Sequence, residues 1–332
     1  MNRTIYVLCP GGLKTGGTEL LHQLVFQINK NTSNRAFIVY YSNLDDPMVR
    51  PFKHYIKGEW ITEEKINDIK ENIIIIPETA LSEFDNFKQA KKYIWWLSVD
   101  NFLVNNSYMY SIKQFGIVTA THYLLNGTIR NRTKKIFDAD LNLCQSYYAI
   151  NYLRSIGVKD DKIKYLSDYI NEIYLTGNIK LAENNRENII LYNPKKGYEF
   201  TKKIIKNSPK SFKWVALEGF TNLQVKELLS TSKVYIDFGN HPGKDRFPRE
   251  AALSGCCIIT GKRGAAGFKR DIPISEKYKF SDNEKNIPLI IEAISFVLNN
   301  YNVAVGDFKD YRNNILKEKQ QFIDGCKQLF ND

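Results

Sequence analysis

No stretch of this 332-residue sequence is long and apolar enough to cross a bilayer. A spanning helix needs about 20 consecutive apolar residues, and the best runs here, 73–77 and 287–298, are too short or too interrupted. Cysteine is scarce. Cys9, Cys144, Cys256, Cys257 and Cys326 are five in number, an odd count at spacings that fit no metal site. Such a set reads as reduced, buried thiols in a cytoplasmic protein and argues against a disulfide framework. Residues 1–4 lead straight into a strand-like run, with no leader pattern before it. Also missing are an internal repeat, a low-complexity tract, the Gly-Lys-Ser/Thr of a P-loop, the dinucleotide GxGxxG and any nucleic-acid-binding motif.

What is present is an ordinary globular balance, 43% apolar and 25% charged, which excludes a disordered or fibrous chain. The charge itself is unbalanced: 47 Lys and Arg oppose 36 Asp and Glu, a net charge of +11. A basic surface suits anionic partners such as nucleotide phosphates, phosphorylated glycans or an anionic membrane surface. The cations are spread along the chain rather than gathered on one helix, so nucleic acid is not the expected partner.

Continuous apolar runs at 5–9, 36–41, 73–76, 93–97, 116–119 and 141–144 read as buried strands. Helical periodicity lies between several of them, at 19–30, 63–71 and 147–156. The pattern weakens over 170–187, which is polar, and then resumes. Strands at 188–192, 213–217, 234–238 and 256–260 alternate with helices at 197–207, 222–231, 249–254 and 288–300. A charged helical segment, 307–329, closes the chain. The expectation is an α/β protein of two Rossmann-like domains with parallel sheets, facing a cleft. The domains are 1–175 and 176–304, followed by a C-terminal helix over 305–332.

Three segments carry chemistry. Pro10-Gly-Gly-Leu-Lys-Thr-Gly-Gly-Thr-Glu19 joins the first strand to the first helix. Its glycines let backbone N–H groups approach a ligand, and the helix N-terminus favours an anion. Tyr192-Asn-Pro-Lys-Lys-Gly197 repeats the arrangement after the first strand of the second half, with two lysines suited to a diphosphate. Asp237-Phe-Gly-Asn-His-Pro-Gly-Lys-Asp-Arg-Phe-Pro-Arg-Glu250 is a strand end feeding a cationic loop. There Lys244 and Arg246 can neutralise a phosphate and Glu250 can accept ribose hydroxyls.

In order and spacing these segments resemble the GT-B glycosyltransferases, particularly the retaining family-4 type. Gly16-Gly-Thr-Glu19 looks like that family's Gly-Gly-x-Glu opening, and Lys195-Lys-Gly197 like its phosphate-binding turn. Pro248-Arg-Glu-Ala-Ala-Leu-Ser-Gly-Cys256 looks like its Glu-Ala-x-Ala-x-Gly segment. Two departures stand out: Pro242 occupies the place of the family's first glutamate, and Leu191 the place of an arginine.

The resemblance implies glycosyl transfer from a nucleotide-sugar donor to a glycan or lipid-linked acceptor, in bacterial surface polysaccharide synthesis. It implies retention and no cofactor, with no divalent metal required. Asp138-Ala-Asp140, the one Asp-x-Asp, reads as a solvated strand entry. Donor-binding residues would be Gly16, Gly17, Lys195, Gly197, His241, Gly243, Lys244 and Glu250, with Lys196 and Arg246 stabilising the leaving diphosphate. The first domain would bind the acceptor, and the C-terminal helix would pack back on it. His122 and Asp100, each expected just past a strand end, would act in catalysis, with Trp96, Thr18 and Asn101 at the acceptor. Rival readings are a sugar-nucleotide epimerase of the same fold and a non-catalytic basic protein that binds nucleotides or nucleic acid. The expected location is cytoplasmic, with peripheral contact at the inner face of the membrane.

Overall fold

The computed structural model describes residues 3–41, 46–175 and 186–331. Most of the polar stretch 170–187, namely 176–185, lies outside the described residues. The chain divides into two compact units: Met1–Asp168 with Gln320–Asp332, and Tyr169–Lys319. The division therefore comes slightly ahead of the expected boundary at 175.

The first unit holds seven strands: β1 (Thr4–Cys9), β2 (Arg35–Tyr40), β3 (Trp60–Thr62), β4 (Ile73–Pro77), β5 (Lys91–Trp96), β6 (Leu141–Cys144) and β7 (Ile163–Tyr165). They form one parallel sheet in the order β3-β2-β1-β4-β5-β6-β7. The central strands are buried on both faces, which is why β1 and β4 are continuous apolar runs rather than alternating ones. Its helices are α1 (Gly16–Asn31), α2 (Val99–Asn106), α3 (Tyr108–Phe115), α4 (Ile117–Leu125), α5 (Thr133–Asp138) and α6 (Tyr147–Ser155).

The second unit begins with α7 (Glu172–Leu175). It continues through β8 (Glu187–Tyr192), α8 (Tyr198–Asn207), β9 (Lys213–Ala216), α9 (Asn222–Thr231), β10 (Ser232–Asp237), α10 (Arg246–Leu253) and β11 (Cys257–Thr260). Helices α11 (Ile287–Asn299), α12 (Tyr301–Ala304) and α13 (Lys309–Phe330) follow. Its sheet is parallel in the order β11-β10-β8-β9. Ile190, Leu191, Tyr235 and Ile258 are fully buried in one core with Ile290 and Ile294 of α11.

Each sheet reverses its strand order once, between β1 and β4 in the first unit and between β8 and β10 in the second. Open α/β sheets bind ligands at the strand ends beside such a reversal. The Gly-rich 10–17 segment leaves β1, whereas the 193–197 and 238–250 segments leave β8 and β10. All three motifs thus sit at reversal points.

Several elements depart from the sequence reading. The run 116–119 is not a strand: Gly116, at φ 81°, caps α3, and the next residues open α4. A short apolar run does not distinguish strand from helix by periodicity. The expected helix over 63–71 is a single 3₁₀ turn, Glu63–Lys65. Strands β3 and β7, three residues each, are too short to have left a pattern. The C-terminal helix is shared between the units. Tyr311 and Ile315 of α13 join the second core, whereas Phe322 stacks on Trp95 of β5 at 6.3 Å.

Candidate active site at the strand ends

In the second unit the β8 and β10 segments are pressed backbone to backbone. Asn193 Oδ1 accepts from the Lys195 amide at 3.0 Å and tightens the turn after β8. Gly197 then adopts φ 58°, the left-handed region, and opens α8. A Cβ at Gly197 would stand 2.2 Å from the Phe238 carbonyl oxygen, so no side chain fits. Gly239, at φ 97°, donates its amide to Asp282 Oδ2 at 2.9 Å. Arg263 Nε lies 3.5 Å from that same oxygen, and Oδ1 of Asp282 is buried without a hydrogen-bond partner.

This close approach delivers Lys196 into a buried cluster. Its ammonium lies 3.0 Å from Asp237 Oδ1 at the end of β10, contacts Asp245 Oδ2 directly, and lies 3.1 Å from His241 Nδ1. His241 is fully buried; its Nδ1 is 3.0 Å from Asp245 Oδ2 and its Nε2 3.3 Å from the Asp237 carbonyl oxygen. Burial opposes the Lys196 charge, but Asp237 and Asp245 outweigh it and raise its pKa. Burial likewise opposes ionisation of Asp245, yet Lys196 and His241 hold its carboxyl well below the usual range. One ammonium faces two carboxylates, so the cluster has no spare positive charge. Lys196 is therefore not the open phosphate cation that the sequence suggested. Asp237, His241 and Asp245 also bring ligand atoms within 4.8 Å of one another, and the Lys196 ammonium contacts all three residues.

A second buried cluster holds the rest of the loop. Glu318 of α13 accepts from Lys244 Nζ at 2.6 Å and from Arg249 at 2.8 Å. Arg249 is fully buried and also donates to the carbonyls of Lys244 at 2.8 Å and Asp245 at 3.1 Å. Lys244 is thus a structural cation, contrary to the donor-binding expectation. Sequence reading placed Asp245 and Arg249 in the loop without a role and missed Glu318, because the Lys196–Asp245 and Arg249–Glu318 pairs join residues far apart along the chain. Arg246 and Glu250, on α10, and Gly243 belong to the same loop and helix start; Arg246 and Glu250 are half-buried.

Cations that do face solvent lie beside this knot. Exposed Lys195 lines a cavity of about 470 Å³ with Gly197, Tyr198, Lys203, Arg263 and Asp282. A ligand there would meet the first turn of α8, whose unpaired amides favour an anion.

In the first unit the Gly-rich segment is a cap as much as a cradle. Thr15 and Thr18 form a reciprocal capping box at the start of α1, and Thr18 also donates to the Leu13 carbonyl at 3.0 Å. Thr18 is buried, so its hydroxyl is engaged rather than offered to an acceptor. Exposed Gly16 and half-buried Gly17 open the helix, and a Cβ on Gly17 would touch Leu97 at 3.6 Å. Trp96 is core: it is fully buried, donates to Asn142 Oδ1 at 2.9 Å and packs on Phe102.

Asp100 and Asn101 stand in the first turn of α2, just beyond β5. Asp100 accepts from Tyr148 at 2.9 Å, and the Asn101 amide donates to its cap, Ser98. His122 lies exposed in α4, not at a strand end, which removes the basis of its catalytic assignment. Glu78 is the group that the sequence did not flag. It follows β4 at the reversal point, is buried, and accepts the Leu97 amide at 2.9 Å. Burial raises its pKa to about 7, against the opposing effect of that amide bond. It lines a 190 Å³ cavity with Phe102, Asn105, Asn106, Thr128 and Arg132.

No protein-family model and no curated protein sequence matches the chain. Solved structures do. An Anabaena protein, HepE, in complex with UDP and glucose aligns over 98% of this chain and 100% of its own at 11% identity, with a TM-score of 0.62. Sucrose-phosphate synthase of Thermosynechococcus elongatus aligns over 99% and 98% at 12% identity, with a TM-score of 0.68. An α-glucosyltransferase in complex with UDP and DNA aligns over 98% and 100% at 12% identity, with a TM-score of 0.55. The chain has the fold of these proteins, the GT-B glycosyltransferase fold that its motifs resembled.

Proposed function

We propose that this protein is a glycosyltransferase that moves a sugar from a nucleotide-sugar donor to a glycan or lipid-linked saccharide, in surface polysaccharide synthesis. The observation that carries the reading is the Gly197–Gly239 approach at the strand reversal of the second unit, with the start of α8 and Lys195 beside it. A diphosphate there meets helix amides and solvent-facing cations, and the Lys196 cluster keeps the two loops fixed. Preorganised charge aimed at a leaving group is usually the largest catalytic term. Glu250 holds the ribose in this reading, and Arg246 adds to the cationic side of the loop.

The proposed reaction is retaining. The acceptor oxygen bonds to the anomeric carbon on the face from which the diphosphate departs. The bond from that carbon to the phosphate oxygen breaks, and the acceptor proton passes to the departing phosphate. No strong base on the protein is needed. Metal independence is supported by the Lys196 ammonium, a protein cation already seated where three candidate ligand atoms converge. A reducing, cytoplasmic location is supported by five buried, free cysteines.

The test is calorimetry with UDP, GDP, CMP and dTDP, then release of nucleoside diphosphate from the matching sugar donors with and without EDTA. The neighbours solved with UDP make it the first to try. Binding of one nucleoside diphosphate and EDTA-resistant turnover are expected. A folded chain that binds none of the four overturns the reading.

A further inference from the structure

Seven of the 18 large apolar side chains exposed among the described residues fall within residues 109–125, on the hairpin of α3 and α4. Val118 is 81% exposed and Leu125 82%. At 100° per residue, Leu124, Ile117, Leu125 and Val118 share an arc of roughly 120° on α4. Ala120, roughly 100° round the helix from the middle of that arc, is fully buried. Phe115 extends the face from α3, with its ring edge-on to Tyr123 at 5.8 Å, and Tyr108 bonds Thr121 across the hairpin at 2.8 Å. The outward apolar side is thus displayed by a fixed hairpin, not by a frayed end.

The charge within this segment has one sign. In a chain with 36 acidic residues, the segment 101–137 contains none, yet it holds Lys113, Arg130, Arg132, Lys134 and Lys135. Lys113, Arg130 and Lys134 are exposed. Contiguous exposed apolar surface marks an interaction site. An apolar helix face rimmed by cations, with no acid within the segment, matches the boundary of an anionic bilayer. Helix α4 has nine residues, about 14 Å of length, far short of the roughly 30 Å hydrocarbon core. Among the described residues no single helix is long and apolar enough to cross a membrane. The hairpin can lie in the interface but not span it.

We propose that the α3–α4 hairpin docks the protein on an anionic lipid surface, with Ile117, Val118, Leu124 and Leu125 entering the headgroup–acyl boundary and Lys113, Arg130 and Lys134 contacting lipid phosphates. This docking does not depend on the glycosyl-transfer reading. The test is flotation of the full chain with vesicles of phosphatidylcholine alone or mixed with phosphatidylglycerol, at low and high salt. Wild type is expected to float with the phosphatidylglycerol vesicles and to lose binding with salt. The V118D/L125D double variant is expected to bind roughly tenfold or more weakly at an unchanged thermal midpoint, since both side chains are exposed. The second variant, K113S/R130S, is expected to weaken binding and flatten its salt dependence.

Failure of the wild type to float with anionic vesicles overturns the proposal. So does undiminished flotation of V118D/L125D, or light scattering showing that those substitutions split a dimer while wild type ignores vesicles. The last outcome would make the face a contact between two copies.

Discussion

Gly197 and Gly239 touch through their backbones: a Cβ on Gly239 would lie 2.7 Å from Gly197 Cα, and both residues have positive φ. The contact joins the ends of β8 and β10, next to Lys195 and Lys196. Gly197→Ala and Gly239→Ala should each destabilise the chain. A residue held in a disfavoured backbone region costs about 1–3 kcal/mol, before the clash is counted. Urea unfolding should show the loss, and nucleoside diphosphate affinity should fall with it. A variant as stable as wild type would mean that the loops separate without penalty.

Lys195 and Lys196 are neighbours with opposite duties. Lys196→Ala removes the ammonium between Asp237 and Asp245. Breaking a buried ion pair by deleting one partner costs about 3–5 kcal/mol, so this variant should unfold at markedly lower urea. Lys195 is exposed, and Lys195→Ala should move stability by no more than about 0.5 kcal/mol. Its effect belongs to nucleotide binding, a loss of about 1 kcal/mol or roughly fivefold, reduced at high salt. Calorimetry and unfolding on both variants separate the two roles, and an exchange of the two outcomes would sink the assignment.

The difference between those lysines shows what the sequence could and could not disclose. The strands were legible because β1, β4 and β11 are buried on both faces and read as nearly unbroken apolar runs. Glycine spacing made the turns at 193–197 and 238–239 legible as well. Partnership was not legible. Lys196 meets Asp245 across 49 residues of sequence, and Arg249 meets Glu318 across 69. A lysine in a Gly-Pro turn looks the same in sequence whether it faces a ligand or two carboxylates. His122 failed for another reason: the run before it is equally apolar as strand or helix, and Gly116 allowed the cap that settled the choice.

Glu78 should give the first unit a pH-dependent stability. Its carboxyl titrates at about 7 when folded, above the usual 4.5, because burial disfavours the charge. A group with a raised folded pKa contributes stability that is full below its unfolded pKa and is lost as pH rises through the folded value. Stability linked to Glu78 should therefore fall between about pH 4.5 and 7, by up to about 3 kcal/mol. Glu78→Gln keeps an acceptor for the Leu97 amide but cannot ionise, so it should be the more stable form at pH 8. Urea midpoints at pH 5 and pH 8 test this. An unchanged pH slope in the variant would show that Glu78 stays charged throughout.

The Lys244–Glu318–Arg249 cluster allows stability and binding to be pulled apart. Glu318→Ala takes away the carboxylate that two buried cations share, and should cost about 3–5 kcal/mol. Replacing a buried ion cluster by apolar residues of similar volume is often neutral or stabilising. The triple variant Lys244→Met, Arg249→Leu, Glu318→Leu should therefore recover most of the urea midpoint. It should not recover nucleotide affinity, because Arg249 also ties down the carbonyls of Lys244 and Asp245, and nothing apolar makes those bonds. If α13 serves the site only as a packing element, stability and affinity will return together. If affinity stays low in a fully stable triple variant, Arg249 is a positioning residue for the loop that carries Asp245, Arg246 and Glu250.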